Sequence, residues 1–238
     1  AGTDLLAPFA AQLARAELVT LLPWGRLRAI DIHALPVDGE PLLARVPTVY
    51  SLDLGPSPWS GTGDTLVVAD PDGDLPEARK EGEALSGTRL FGEQATRDAV
   101  LARLPEAERF HYAGHAAFIE DDAFDAHIAL SGEGRVLLGD ILTLPRVPRE
   151  VVLSACEGAR AEDATVEGWG MAQAFIAAGS EAVLASVRPL DDTLGRQVSV
   201  RLYEQDPSLP LVERLRAVVA ELHEEEGVDW ATYRVWVR

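Results

Sequence analysis

The chain has 238 residues, 47% hydrophobic and 25% charged, enough for one large domain whose core needs neither disulfides nor a metal to hold it. Its 39 acidic residues outnumber 21 basic ones, a formal net charge of −18, which argues against nucleic acid or an anionic membrane as partner and suits a basic partner or substrate. The single cysteine rules out an internal disulfide and is compatible with the cytoplasm. No apolar run reaches the length of a membrane span, and no basic-then-apolar leader opens the chain. The first residue is Ala, so a fragment or processed product, with an upstream region, is expected.

In chain order, apolar residues at Leu5, Leu6, Phe9 and Leu13 predict an amphipathic helix over 5–16. Short β-compatible runs follow at 18–22, 27–32 and 46–52, with turns at 23–25 and 38–39 between them. The stretch 55–64 (GPSPWSGTGD) reads as a linker, dividing an N-terminal subregion (1–60) from a core (61–238). Strands are expected at 65–69, 89–91, 109–112, 151–154 and 182–187, with a closing strand at 231–237. Helices are expected at 76–85, at 96–104 with Thr96 as N-cap, and at 168–178 ended by Gly179. Two more helices are expected at 193–205 and 210–226, and 138–144 reads as a turn. Alternation of this kind with near-continuous apolar strands predicts an α/β fold, a mainly parallel sheet with helices on both faces. Chemistry in such sheets gathers at the carboxyl ends of strands, here after Tyr112, Ser154 and Val187.

His115 lies just past the first of those ends, and Cys156, 41 residues later, just past the second. If the two strands are neighbours, imidazole and thiol meet at one sheet edge, and an adjacent imidazolium lowers a thiol pKa from about 8.5 toward 3.5–7.5. The plain alternative is a buried cysteine acting as core filler and a hydrogen-bonded structural histidine. His111 and His115 are four apart, but a metal pair at that spacing needs a helix, and this segment reads as a strand entering a loop. Asp70, Asp72, Asp74 and Glu81 match positions of a calcium loop, yet Leu75 stands where that loop needs Gly, so a strand-to-helix turn is preferred. Ser154 lacks a nucleophile elbow. Gly61, Thr62 and Gly63 make no dinucleotide fingerprint, and no phosphate loop occurs.

HYAGH, then VVLSACEG, then EGWGMAQAFIAAGSEAVLASVRPLDD resemble the CHAT family, caspase-like peptidase domains related to separase and often found behind tetratricopeptide repeats in bacteria. LLPWGRLRAIDIHALPVDGEPLL is similar to the family's N-terminal hairpins, VVADPDGDLPEARKEGEAL to its first core strand and helix, and DWATYRVWV to its last strand. The resemblance spans nearly the whole chain. It implies a caspase-like fold and a cytoplasmic bacterial cysteine endopeptidase in a regulated signalling or defence pathway, with Cys156 as nucleophile and His115 as acid/base. The chemistry so implied uses no metal and no cofactor. The backbone N–H groups of Cys156 and Ala116 form the implied oxyanion hole, with Ala at 116 where the family usually has Gly; positive φ at that position would strain Ala.

The resemblance also places the turn after the 182–187 strand beside the pocket for the side chain preceding the scissile bond. Asp191, Asp192 and Arg188 lie on that turn, and Asp121, Asp122 and Asp125 follow the histidine. A partly desolvated carboxylate binds Arg bidentately, so cleavage after Arg or Lys is expected. Arg188 could instead neutralise the acids or select acidic side chains, and Asp192 could serve as a helix N-cap. The loop 157–166, polar and without periodicity, is expected to be mobile until substrate or an activator orders it. Two other readings use the same residues: a catalytically weak scaffold that binds partner proteins, and a hydrolase or acyl-transferase acting on a non-protein substrate.

Overall fold

The computed structural model describes residues 5–59, 63–117, 126–155, 170–225 and 227–238. A 3-10 turn over Ala7–Phe9 leads into α1 (Ala10–Leu13), followed by β1 (Val19–Leu21), the hairpin β2 (Pro36–Val37) and β3 (Glu40–Pro41), α2 (Leu42–Arg45) and β4 (Thr48–Ser51). Next come β5 (Thr65–Ala69), α3 (Pro76–Ala84), β6 (Thr88–Phe91), α4 (Arg97–Arg103) and β7 (Arg109–Gly114). The short strands β8 (Ala116–Ala117), β9 (His127–Ala129) and β10 (Arg135–Leu137) precede α5 (Leu138–Thr143) and β11 (Glu150–Ala155). The chain finishes through α6 (Met171–Ala178), β12 (Ala182–Ser186), α7 (Asp192–Glu204), α8 (Leu211–Leu222) and β13 (Tyr233–Val237).

Eight strands form one sheet in the order β1-β4-β13-β12-β11-β7-β5-β6. Only the β12–β13 pair is antiparallel. The N-terminal strands β1 and β4 thus extend the main sheet beyond β13. β7 and β11 lie at its centre, and residues alternate between its two faces. Phe110, Tyr112, Val151 and Leu153 pack on one side against Val100 of α4, Ile141 of α5 and Phe175 of α6. Val152, Leu184 and Val235 pack on the other against Val198 and Leu202 of α7 and Leu215 and Val219 of α8. Each such side chain, fully buried, contributes roughly 1.5–3 kcal/mol. With both faces covered, the apolar runs of the central strands are explained. No described helix is long and apolar enough to cross a membrane.

Thr96 caps α4 as expected, accepting from the Ala99 N–H at 3.2 Å. Two expectations need correction. Residues 27–32 are not a strand: Gly25–Ala29 and Ile32–Ala34 are 3-10 turns, entered through Gly25 at φ 53° and anchored by Asp31, which pairs with both Arg188 and Arg234. The turn expected at 138–144 is the helix α5, whose Asp140 carboxylate accepts the Leu137 N–H at 3.0 Å. The antiparallel sheet β10-β9-β8 was not anticipated at all. Part of the expected linker is also pinned: Ser57 Oγ donates to Gly179 O at 2.6 Å and Trp59 Nε1 to Ala178 O at 3.2 Å. Gly179, at φ 128°, ends α6 there, and a Cβ on it would overlap the Trp59 indole.

Candidate active site

β7 and β11 are parallel neighbours whose carboxyl ends coincide, with Ser154 opposite Ala113 and Ala155 opposite Gly114. Gly114 immediately precedes His115, and Ala155 immediately precedes Cys156. Cys156 lies outside the described residues, as do Asp121, Asp122, Asp125 and the loop 157–166. The backbone at His115 is fixed from two sides. Its carbonyl accepts from the Ala129 N–H at 2.8 Å and from the Tyr112 hydroxyl at 2.6 Å, a hydroxyl that also reaches Ala129 O at 2.7 Å. Burial holds the Tyr112 phenol well above its usual pKa, so it stays a neutral donor. Gly114 is required for this approach, since a Cβ would come within 2.6 Å of the Tyr112 oxygen.

The His115 side chain is half exposed. Its Nε2 lies 3.0 Å from Asp74 Oδ2 and 3.2 Å from Oδ1. Asp74 belongs to the turn between β5 and α3. Deeper in, on the α3/α7 side of the sheet, Glu81 of α3 reaches two strands at once: Oε1 lies 2.8 Å from His111 Nε2, and Oε2 accepts from Ser154 Oγ at 3.2 Å. The Tyr203 ring packs edge-on against His111, 5.4 Å between centroids.

A small cavity of about 80 Å³ opens over this layer, between His115, Ser154, Glu81, Asp192 and Gly195. Gly195 lets α7 close onto the strand end, because a Cβ there would stand 2.9 Å from Ser154 Oγ. Asp192 has its pKa raised, chiefly by burial and then by the neighbouring Asp191 carboxylate, while His115 pulls it the other way.

The remaining expected residues separate by role. Asp191, not Asp192, caps α7, accepting the N–H groups of Thr193 at 3.0 Å and Leu194 at 3.2 Å. Arg188 is taken up elsewhere: Nη1 reaches Asp31 Oδ2 at 2.7 Å, and Nε and Nη2 hold Asp229 at 3.1 and 2.9 Å. Asp192 is therefore the charged residue of this turn that lines the cavity. Ala116 lies in β8, opposite Ile128, and has no positive φ, so Ala is unstrained there. The acids of the calcium-like pattern do not converge: Asp70 holds the Leu75 N–H and Arg79, Asp74 turns to His115, and Glu81 to His111. Among the described residues no group of three metal-ligating side chains assembles.

Sequence reasoning missed the roles of Asp74 and Glu81. The signal was available, because the rule that chemistry gathers at strand carboxyl ends applies equally to β5, which leads directly to Asp74.

A family model described as the CHAT domain matches residues 2–236. The fold is similar to that of Saccharomyces cerevisiae separase, solved in complex with securin, at TM-score 0.65 and 14% identity over 92% of this chain. The chain spans only 15% of that separase chain. It is also similar to the Arg-specific cysteine proteinase gingipain R, at TM-score 0.52 and 11% identity over 73% of this chain and 45% of that one. A structure described simply as a protease gives TM-score 0.64 and 10% identity over 98% of this chain and 68% of that one. No curated protein matches the sequence. At these identities the solved structures speak for the fold alone, which is the caspase-like fold of cysteine proteases.

Proposed function

The chain belongs to the CHAT domain family, and from that premise we propose that it is a cysteine endopeptidase working through His115 and Cys156. One observation carries the reading: Gly114 and Ala155 pair in register at the ends of adjacent parallel strands, and His115 and Cys156 are the next residues of each. In this mechanism the proton of the Cys156 thiol passes to His115. The thiolate attacks the scissile carbonyl carbon, and the resulting oxyanion is held by the backbone N–H groups of Ala116 and Cys156. The tetrahedral intermediate collapses to a thioester as the His115 imidazolium protonates the departing amine. His115 then takes a proton from water, whose oxygen attacks the thioester and releases Cys156.

Asp192 supports a preference for Arg or Lys before the scissile bond. It lines the cavity beside His115, while Asp191 is spent on a cap and Arg188 on Asp31 and Asp229. The natural substrate is a protein, and the family resemblance supports a bacterial, cytoplasmic setting under the control of an upstream repeat or sensor region. Cleavage of a proteome digest tests the reading. New termini should follow Arg and Lys with the native protein and be absent with Cys156→Ala; a preference for Asp would reverse the assignment of the pocket.

A further inference from the structure

We propose that Asp74 is a positioning residue for the His115 imidazole. Its carboxylate takes the Nε2–H and so assigns Nδ1 to the proton exchange with Cys156. The inference rests on the peptidase reading above and adds a third group to its pair.

The geometry is specific. Both Asp74 oxygens lie within 3.2 Å of Nε2 and neither residue is deeply buried. An exposed pair held only by two mobile side chains contributes little. The turn carrying Asp74, however, is built onto the strand that carries His115. The Asp70 N–H donates to Ala113 O of β7 at 2.9 Å, and Asp70 O accepts from Gly73 N at 3.3 Å and Gly92 N at 3.2 Å. The Asp70 carboxylate accepts from the Leu75 N–H at 2.9 Å and from Arg79 Nε at 3.1 Å. Asp70 at φ 47° and Gly73 at φ 76° complete a turn that follows one course. From the other side, Tyr112 and Ala129 hold the His115 carbonyl. Carboxylate and imidazole are thus fixed to one strand end, which is the condition for orienting a catalytic base.

A neutral imidazole has one donor and one acceptor nitrogen. A carboxylate at Nε2 favours the proton there and leaves Nδ1 basic. Once the thiol proton arrives, the same carboxylate stabilises the imidazolium. Among the described residues, Asp192 at the start of α7 and Glu81 of α3 line the same cavity as His115, Ser154 Oγ donates to Glu81, and the Tyr112 hydroxyl holds the His115 carbonyl. Glu81 is engaged by His111, and Asp192 lines the cavity. Asp74 is the described carboxylate in hydrogen-bonding reach of the ring.

The test compares Asp74→Asn, Asp74→Glu and Asp72→Asn, the last removing one exposed charge from the same turn. For Asp74→Asn, kcat should fall about two- to fivefold at unchanged KM, the size an exposed ion pair supports. The kcat/KM pH profile should change with it, because the charged form of the ring has lost its carboxylate partner. Asp74→Glu should recover most of the rate, and Asp72→Asn should leave rate and profile in place. An Asp74→Asn enzyme with native rate and profile, or one that differs from native no more than Asp72→Asn does, overturns the proposal. Nitrogen-15 NMR of the His115 ring, which reports the nitrogen that carries the proton, separates this inference from the peptidase reading. If the native protein shows no Cys156-dependent cleavage, that reading fails, while a proton preferred at Nε2 in native protein and not in Asp74→Asn still supports the pairing. An unchanged proton distribution over the ring refutes it.

Discussion

His111 Nε2 and Glu81 Oε1 lie 2.8 Å apart between β7 and α3, both side chains closed to solvent. The second Glu81 oxygen holds Ser154, so a single helix side chain ties together the two strands that end at the candidate catalytic residues. Removing one partner of a buried pair leaves the other without compensation. Glu81→Ala should therefore destabilise the fold by about 3–5 kcal/mol, and Glu81→Gln, which keeps volume and an acceptor, by about 1–3 kcal/mol. Urea unfolding measures both. A Glu81→Ala loss within the range of an ordinary surface substitution, about 0.5 kcal/mol, contradicts this role.

A second buried histidine sets a pH dependence. His33 hydrogen-bonds Tyr50 at 2.8 Å and stands edge-on to Tyr50 and Trp230. Burial, then the Arg234 charge, lower its pKa to about 4. The unfolded chain protonates near 6.5, so between pH 6.5 and 4 it binds the proton that the folded state refuses. The stability linked to His33 is fully present above pH 6.5 and is lost as pH falls toward 4, roughly 3 kcal/mol in all. His33→Phe should flatten the slope of urea stability between pH 7 and 4. A variant with the native slope would show that other groups govern it.

Substrate choice separates the three charged residues of the β12–α7 turn. Asp192→Asn should raise KM for Arg and Lys peptides about tenfold, the loss of one charge-assisted contact, with little change for uncharged ones. Burial raises the Asp192 pKa, so its carboxylate neutralises at higher pH than an ordinary one, and KM for cationic peptides should climb earlier on acidification. Arg188→Ala, which cuts the ties to Asp31 and Asp229, should cost about 1 kcal/mol of stability and leave the cleavage preference alone. Steady-state kinetics with matched peptides decides this. An inverted preference in Arg188→Ala would return Arg188 to the pocket.

The central strands were legible because they are buried on both faces and bounded by turn residues: 65–69 was read to the residue, and 109–112 and 151–154 fell short of β7 and β11 by only one or two residues at their ends. The strand-end rule led from them to His115 and Cys156. Residues 27–32 misled because four apolar residues, Leu27, Ala29, Ile30 and Ile32, broken by Arg28 and Asp31, are too short a stretch to show a distinguishing period. Asp31, pairing with Arg188 and Arg234 far along the chain, helps fix that segment as turns. The β8–β10 sheet went unseen because its strands are two or three residues long and defined by each other. Asp74 and Glu81 fitted a calcium spacing in sequence. Only the fold sends one toward solvent and His115 and the other into the core against His111.

The central claim is that Cys156 is a nucleophile activated by His115. Its most direct measurement is the rate at which an electrophilic arginyl peptide labels the protein, with the modified residue located by mass spectrometry in native, His115→Ala and Cys156→Ala proteins. Selective labelling of Cys156 in native protein is predicted, with the rate falling by a factor on the order of 10² or more in His115→Ala and no labelling in Cys156→Ala. Equal labelling of native and His115→Ala proteins, or peptide cleavage by Cys156→Ala at a rate comparable to native, would contradict it.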